Sequence, residues 1–211
     1  MGETLRRMRE DWDAVAQNDP AARSRFETAL CHTALHAIWV HRIAHTLHSR
    51  RGLPTLARFL SALAYAWSGV EIHPGARIGR RFFIDHGNGV VIGETAEIGD
   101  DCVLFHNVTL GGTGKHDGKR HPTLRDRVFV GTGATLLGPL TVGENAKIGA
   151  GSFIHMRDVP ANCTAVGTPA RIVKRDGVRV ESELPRARLS EASIPVAIPG
   201  EGGRRRERSA S

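Results

Sequence analysis

The stretch FVGTGATLLGPLTVGENAKIGAGSFIH, residues 129–155, decides the fold of this 211-residue chain. An aliphatic residue recurs at every sixth position within it, at Val130, Leu136, Val142, Ile148 and Ile154. An α-helix repeats its apolar positions about every 3.6 residues and a half-buried strand about every 2, so neither explains a period of six. A solenoid does, because each unit then forms one short strand and one turn with a single aliphatic side chain pointing inward.

The same period extends upstream of this stretch. It runs through Ile72, Ile78 and Ile84 and continues, shifted by two residues, at Ile92, Ile98, Leu104 and Leu110. Three units would close a triangular coil, and stacked coils predict a parallel β-helix. The gap between Leu110 and Val130 interrupts the solenoid and carries Gly111–Lys115 and Arg120–Pro122. An excursion from a regular scaffold is where we expect function.

The residues before the solenoid have helical spacing instead. Charged and apolar residues alternate in this way from Glu3 to Ala16. Asp19 directly before a proline is typical of a helix N-cap, so we predict a long helix from Pro20 to about Ser49. A further helix is predicted up to about Tyr65.

These patterns predict an α+β protein in three parts. Residues 1–69 form an α-helical N-terminal domain, and residues 70–174 form a β-helix catalytic domain with an excursion loop near 111–127. Residues 175–211 lose the period and are rich in proline, glycine and arginine, so we expect a flexible basic tail. We interpret that tail as solvated rather than as a nucleic-acid-binding segment.

Composition excludes several classes of protein. Cys31, Cys102 and Cys163 are far apart, so neither a disulfide framework nor a zinc ribbon is expected. No apolar run is long enough to span a membrane, and the charged N-terminus is unlike a signal peptide. Much of the formal net charge of +7 comes from the tail. We therefore expect a cytoplasmic protein that binds neither nucleic acid nor a membrane.

Six motifs in order resemble the serine O-acetyltransferases, over roughly residues 11–171. They are Glu71–Gly75, Phe83–Gly87, Val91–Thr95, Val108–Lys115, Arg120–Pro122 and Val166–Arg171. The resemblance implies a left-handed parallel β-helix, packed as trimers or as a dimer of trimers. It also implies transfer of an acetyl group from acetyl-CoA, the co-substrate, to the hydroxyl of L-serine. The products would be O-acetyl-L-serine and CoA, in cysteine biosynthesis, and no metal is expected.

A base is needed in such a reaction, because a serine hydroxyl is a poor nucleophile at neutral pH. His86 matches the family's base. The resemblance implies that Glu71, where many members have aspartate, orients that imidazole and stabilises its protonated form. His121 is implied to lie near the reacting centre as well.

The resemblance also implies which residues hold the two substrates. Asp19 and Asp85 match the carboxylates that bind the amino group of serine, although an N-cap alone would explain Asp19. Arg120 and His121 match the residues that receive the serine carboxylate. Five further positions are implied for acetyl-CoA, with an oxyanion-stabilising backbone N–H at the first of them: Gly112, Thr113, Thr132, Lys147 and Ala150.

Several alternatives remain open at this stage. The acceptor hydroxyl could belong to homoserine, phosphoserine or a sugar, although Asp85 together with Arg120 favours an amino acid. A zinc protein like the γ-class carbonic anhydrases would need three histidines that converge across a subunit interface, for which His86, His106 and His121 are candidates. A third alternative is a mainly regulatory protein that docks on a partner enzyme. We interpret the remaining histidines as packing contacts between helices: His32, His36, His41, His45 and His48.

One partner of the family is left open by this sequence. Many serine O-acetyltransferases bind O-acetylserine sulfhydrylase through a C-terminal tail that ends in isoleucine. This sequence ends at Ser211, and its last isoleucine is Ile198. The sequence therefore does not favour that assembly or any feedback by cysteine that depends on the tail, and it excludes neither.

Overall fold

Four helices open the chain in the computed structural model, which describes residues 2–50, 52–114 and 117–188. They are α1 (Gly2–Asn18), α2 (Arg25–Cys31), α3 (Thr33–Arg50) and α4 (Pro54–Ser68). None of the helices in these ranges is long and apolar enough to cross a membrane. The prediction of one long helix from Pro20 to about Ser49 is therefore wrong, because the helix begins only at Arg25 and is broken at His32, between α2 and α3.

The predicted N-cap at Asp19 is wrong. Helix α2 begins at Arg25 and is capped by Ser24, whose side chain accepts a hydrogen bond from the backbone N–H of Glu27. The Asp19 carboxylate instead accepts a hydrogen bond from the N–H of Ala21 within a turn. Serine caps a helix about as well as aspartate, so the turn after α1 leaves Asp19 free to face another part of the molecule.

Thirteen short strands follow and wind into a solenoid. They are β1 (Glu71–Ile72), β2 (Arg77–Ile78), β3 (Phe83–Asp85), β4 (Val91–Ile92), β5 (Glu97–Ile98), β6 (Val103–Phe105), β7 (Thr109–Gly111), β8 (Thr123–Leu124), β9 (Phe129–Val130), β10 (Thr135–Leu137), β11 (Thr141–Val142), β12 (Lys147–Ile148) and β13 (Phe153–His155). They form three parallel faces: face A (β1-β4-β7-β10-β13), face B (β2-β5-β8-β11) and face C, which begins β3-β6-β9-β12. The predicted β-helix is confirmed.

The inward aliphatic residues fill the coil. Ile84, Leu104, Val130 and Ile148 follow one another up face C, and each is fully buried. Burying one such side chain stabilises the fold by about 1.5–3 kcal/mol, and neighbouring coils share their backbone hydrogen bonds. The six-residue period is therefore a packing requirement, since any other spacing would turn an aliphatic side chain outward.

A two-residue insertion explains the shift in the aliphatic register. Strand β3 ends at Asp85 and β4 begins at Val91, whereas at the same corner of the next coil β6 ends at Phe105 and β7 begins at Thr109. The longer corner contains His86 and Gly87, whose φ angles of 62° and 84° lie in the left-handed region. The extra residues therefore bulge out of the stack at the corner that joins face C to face A.

The excursion is the second departure from regularity. It leaves after β7 and returns at β8, so it lies at the corner that joins face A to face B. The coil resumes at Thr123, earlier than the predicted end of the loop near 127. Residues 115 and 116 lie outside the described residues.

The ordered chain also continues past the predicted start of the tail. Strands β14 (Cys163–Gly167), β15 (Ala170–Arg175) and β16 (Val178–Glu183) extend face C, and β15 and β16 pair in antiparallel fashion. Leu184 is buried against the last coil, which explains why a sequence without the six-residue period is still ordered here. The rest of the predicted tail, residues 189–211, lies outside the described residues.

A buried ion pair fixes the helices on the first coil. The guanidinium of Arg42 in α3 donates two hydrogen bonds, of 3.0 and 2.9 Å, to the carboxylate of Asp11 in α1. It also donates to the carbonyl of Ile78 at 2.5 Å, and the N–H of Phe82 donates to Asp11 at 3.2 Å. Asp11 is 0% and Arg42 5% exposed, so neither charge has water as an alternative partner.

We expect Arg42→Met to lower the free energy of unfolding by about 3–5 kcal/mol, because it leaves the Asp11 carboxylate buried without its partner. The control is Arg127→Met, which removes an exposed ion pair with Glu144 and should cost less than about 1 kcal/mol. Urea denaturation followed by circular dichroism measures both. Equal destabilisation of the two variants would contradict the role given to Arg42.

Candidate active site

His86 lies at the mouth of a cleft between the β-helix and the helices. The cleft has a volume of about 500 Å³ and is lined by the turn after α1, the break between α2 and α3, and the corner after β3. Asp19, Asp85 and His86 all line it. The side chain of His86 is 75% exposed, and its Nε2 lies 3.9 Å from Oδ1 of Asp85. The structure therefore brings the expected base together with both expected amine-binding carboxylates.

Glu71 lies near this corner, but its side chain makes no polar contact with that of His86 in the described part of the chain. It is exposed on β1, and within the described ranges no hydrogen bond or ion pair connects the two side chains. The backbone of the His86 corner does stack on the residues around Glu71. The N–H of Gly89 donates to the carbonyl of Gly69, and the N–H of Glu71 donates to the carbonyl of Val90, both at 2.9 Å. Their partnership stays a prediction.

A second histidine packs against His86. His106 occupies the same corner one coil further along, and its ring centroid lies 5.7 Å from that of His86 with the planes at 82°. Its Nδ1 is buried and has no hydrogen-bond partner among the described residues. His121 lies at a different corner, and within the described part of the chain no three metal-ligating side chains are grouped to hold an ion. Within one chain, His86 and His106 thus adjoin each other and His121 lies apart from them.

Arg120 and His121 form a second cluster on the excursion. Oγ1 of Thr95 accepts hydrogen bonds from the backbone N–H groups of Arg120, at 3.0 Å, and His121, at 3.2 Å. The guanidinium of Arg120 forms an ion pair with Glu94, which lowers the pKa of that carboxyl. From the sequence, Glu94 and Thr95 were recognised only as part of a motif. Their contacts between the excursion and the coil below were not predicted. Gly93 makes this contact possible, since a Cβ there would lie 2.0 Å from the His121 ring.

The imidazole of His121 is held in one protonation state. Burial and the neighbouring cations Arg120 and Lys119 lower its pKa to about 4. Its Nδ1 accepts a hydrogen bond from the backbone N–H of Thr95 at 3.2 Å. The neutral ring therefore carries its proton on Nε2, and His121 is equipped to donate a hydrogen bond at neutral pH rather than to act as a cation.

Four of the five residues named for acetyl-CoA lie at the two corners that carry His86 and His121, and the fifth, Lys147, lies on face C. Thr132 and Ala150 lie on the corner that bears His86, further along the axis, and Lys147 is exposed on β12 of face C. Gly112 and Thr113 lie on the excursion with Arg120 and His121. The predicted site residues of one chain thus fall into two separate groups. We call them the His86 half-site, where face C meets face A, and the His121 half-site, where face A meets face B.

Comparison with known proteins gives a consistent result. No family model matches the chain. It is 56% identical to serine acetyltransferase from Bacillus subtilis (strain 168), over 85% of this chain and 82% of the relative. It is 54% identical to serine acetyltransferase from Helicobacter pylori, over 78% of this chain and 95% of the relative.

Solved structures agree with these relatives. Serine acetyltransferase from Neisseria gonorrhoeae superposes with a TM-score of 0.80 at 41% identity, covering 85% of this chain and 68% of that one. Soybean serine acetyltransferase complexed with serine gives 0.77 at 43% identity, covering 82% and 70%. The enzyme from Brucella abortus strain S19 in complex with coenzyme A gives 0.78 at 41% identity, covering 82% and 69%.

Fold and site together define an acyltransferase built on a hexapeptide-repeat β-helix. The chain belongs to the serine acetyltransferase family.

The low pKa of His121 predicts that stability falls in mild acid. The unfolded chain binds a proton near pH 6.5 and the folded chain only near pH 4, so the unfolded state binds more protons between these values. The free energy of unfolding should therefore decrease as the pH falls from about 6.5 toward 4. Burial and the nearby Arg58 also lower the pKa of His73 to about 4, so His73 contributes in the same direction.

Urea titrations at pH 7, 6 and 5 measure this slope. His121→Asn should flatten it, while the part due to His73 remains. A slope that is identical in wild type and His121→Asn would show that His121 does not titrate as the structure requires.

Proposed function

We propose that the chain transfers the acetyl group of acetyl-CoA to the hydroxyl of L-serine, giving O-acetyl-L-serine and CoA. The observation that carries this proposal is the cleft that joins an exposed imidazole, His86, to two carboxylates, Asp19 and Asp85. Two carboxylates in one cleft suit the ammonium of an amino acid, and a sugar hydroxyl would leave them unpaired. The relatives solved with serine and with coenzyme A support the same substrates.

The reaction requires one proton to move twice. His86 takes the proton from the serine hydroxyl as its oxygen attacks the thioester carbon, so a C–O bond forms and the carbonyl π electrons move onto the carbonyl oxygen. When that oxyanion collapses, the C=O bond re-forms and the C–S bond breaks. The imidazolium then returns the proton to the leaving CoA thiolate. Glu71 would stabilise the imidazolium between these steps, in the way that a carboxylate does in hydrolytic triads. The backbone N–H of Gly112 is proposed to face the developing oxyanion.

A complete site is proposed to form between two copies of the chain. The His86 half-site and the His121 half-site lie on opposite edges of face A. His86 follows the last strand of the first coil, and His121, on the excursion from the third coil, contacts Gly93 and Thr95 of the second. Packing β-helices around a threefold axis would set the His86 edge of one copy against the His121 edge of its neighbour. Arg120 and His121 of that neighbour would then receive the serine carboxylate, the first with its positive charge and the second with its Nε2 proton.

Acetyl-CoA is proposed to lie in the groove between the same two edges. Thr132 and Ala150 lie on successive coils of one corner, where the N–H of Gly151 donates to the carbonyl of Thr132 at 2.8 Å. Lys147 is exposed on the adjoining face and has no ion-pair partner in the part of the chain that the structure describes. Its ammonium fits a phosphate of CoA, and Gly112 and Thr113 would contribute from the neighbouring copy.

The first test of the proposal is release of free thiol from acetyl-CoA in the presence of L-serine. His86→Ala should lower kcat by about 100-fold or more, the usual loss when a general base is removed. His155→Ala serves as the matched control, because His155 is an exposed histidine on the last coil of face A, far along the axis from the cleft. Wild-type enzyme that releases no thiol with serine, or a His86→Ala variant with native turnover, would refute the proposed function.

Glu71→Gln tests the partner of the base. The substitution keeps the shape of the side chain and removes its charge, so the imidazolium loses stabilisation and kcat should fall by about tenfold or more. The KM for serine should stay within about twofold of the native value, because Glu71 is not proposed to contact the ground-state substrate. An unchanged kcat would remove Glu71 from the mechanism.

A further inference from the structure

His32 differs from the other histidines of the helical region. It lies between α2 and α3 with non-helical φ and ψ of −84° and 88°, and its backbone N–H donates to the carbonyl of Thr28 at 3.1 Å. Its side chain caps the next helix, because Nδ1 accepts a hydrogen bond from the backbone N–H of Leu35 at 3.1 Å. The sequence-based interpretation as a packing contact between helices does not describe this residue.

The cap fixes the tautomer of the imidazole. A ring nitrogen that accepts from a backbone N–H carries no proton, so the neutral ring has its proton on Nε2. Burial lowers the pKa of His32, although Asp19 and Asp85 act in the opposite direction, and this keeps the ring neutral at pH 7. Nε2 has no hydrogen-bond partner within the described ranges, so His32 retains one unused N–H donor.

The ring itself is held in place. Its centroid lies 5.8 Å from that of Phe83, which is buried in a small apolar cluster with Ala14, Val15 and Leu35. His32 also lines the cleft that contains Asp19, Asp85 and His86. A rigid imidazole with a spare donor therefore lines the same cleft as the two carboxylates, which come from separate elements, the turn after α1 and the end of β3.

Those two carboxylates face a physical problem. Like charges in a partly desolvated cleft repel each other, and Asp19 sits in a turn rather than in a regular element. We propose that His32 is a positioning residue: once the ammonium group of the acceptor is bound, the free Nε2–H of His32 donates to the Asp19–Asp85 carboxylate pair and holds the pair in place. This inference rests on the proposed function and assigns the recognition of an amino-acid acceptor partly to His32.

A matched pair of substitutions separates this role from the helix cap. His32→Asn places its amide oxygen where Nδ1 was, so it keeps the cap on Leu35 but has nothing at the position of Nε2. His32→Gln places an amide N–H near the position of Nε2 and gives up the cap. His32→Asn thus removes only the Nε2 donor, and His32→Gln removes only the helix cap.

We expect His32→Asn to raise the KM for L-serine about tenfold, the loss expected for one hydrogen bond to a charged group. Its kcat should change less than about twofold, and its KM for acetyl-CoA and its melting temperature should be native. His32→Gln should keep the KM for serine near the native value while lowering the melting temperature, because an N-cap is lost. Calorimetric titration with L-serine gives the same comparison without turnover.

The outcomes distinguish this inference from the proposed function. If wild type acetylates or binds serine and His32→Asn does so with native KM or affinity, the inference is overturned and the proposed function stands. If both variants raise the KM for serine and lower the melting temperature together, His32 acts only through the fold, which also overturns the inference. If serine is neither acetylated nor bound by wild type, both proposals fall.

Discussion

The stacking of coils is the constraint on which the rest of this structure depends. Each coil must present one aliphatic side chain inward per strand and must offer its backbone N–H and carbonyl groups to the coils above and below. The faces of the solenoid therefore accept little variation. Extra residues can leave only at corners, and the two places where they do so carry His86 and the pair Arg120 and His121. The chemistry lies where regular packing is interrupted.

The helices turn one of these corners into a cleft. An exposed histidine on a left-handed bulge would by itself be a surface residue. In the buried Asp11–Arg42 pair, Arg42 donates a hydrogen bond to the carbonyl of Ile78 in the first coil. This contact fixes where the turn after α1 and the start of α3 meet the corner that carries His86. Asp19 is brought to Asp85 in this way. An ion pair far from the reacting atoms thus determines the geometry of the proposed amine site.

Much of this could be predicted from sequence, because a six-residue period has one structural explanation and its shift by two residues marks the bulge at His86. The N-cap at Asp19 was wrong because Ser24 competes for the same role five residues later. The ordered strand after residue 175, β16, was missed because an antiparallel hairpin needs no period of six. The separation of the half-sites could also have been predicted. In the six-residue register Ile84 and Leu110 belong to different faces, so His86 and Arg120, which come after them, belong to different corners. The contact between Thr95 and His121 could not be predicted from the sequence, because His121 lies on the excursion, where the six-residue period gives no position relative to the coils.

The central claim is that the two half-sites of one chain are completed by a second chain, and subunit complementation tests it most directly. His86→Ala and Arg120→Ala each disable one half-site. If sites form between copies, co-expressing the two inactive chains should restore intact pairs at about a quarter of the interfaces by random assembly, with a matching share of wild-type activity. If both residues served a site within one chain, every site would lack one of them. Activity no higher than that of the separate variants, in assemblies shown to contain both chains, would contradict the account.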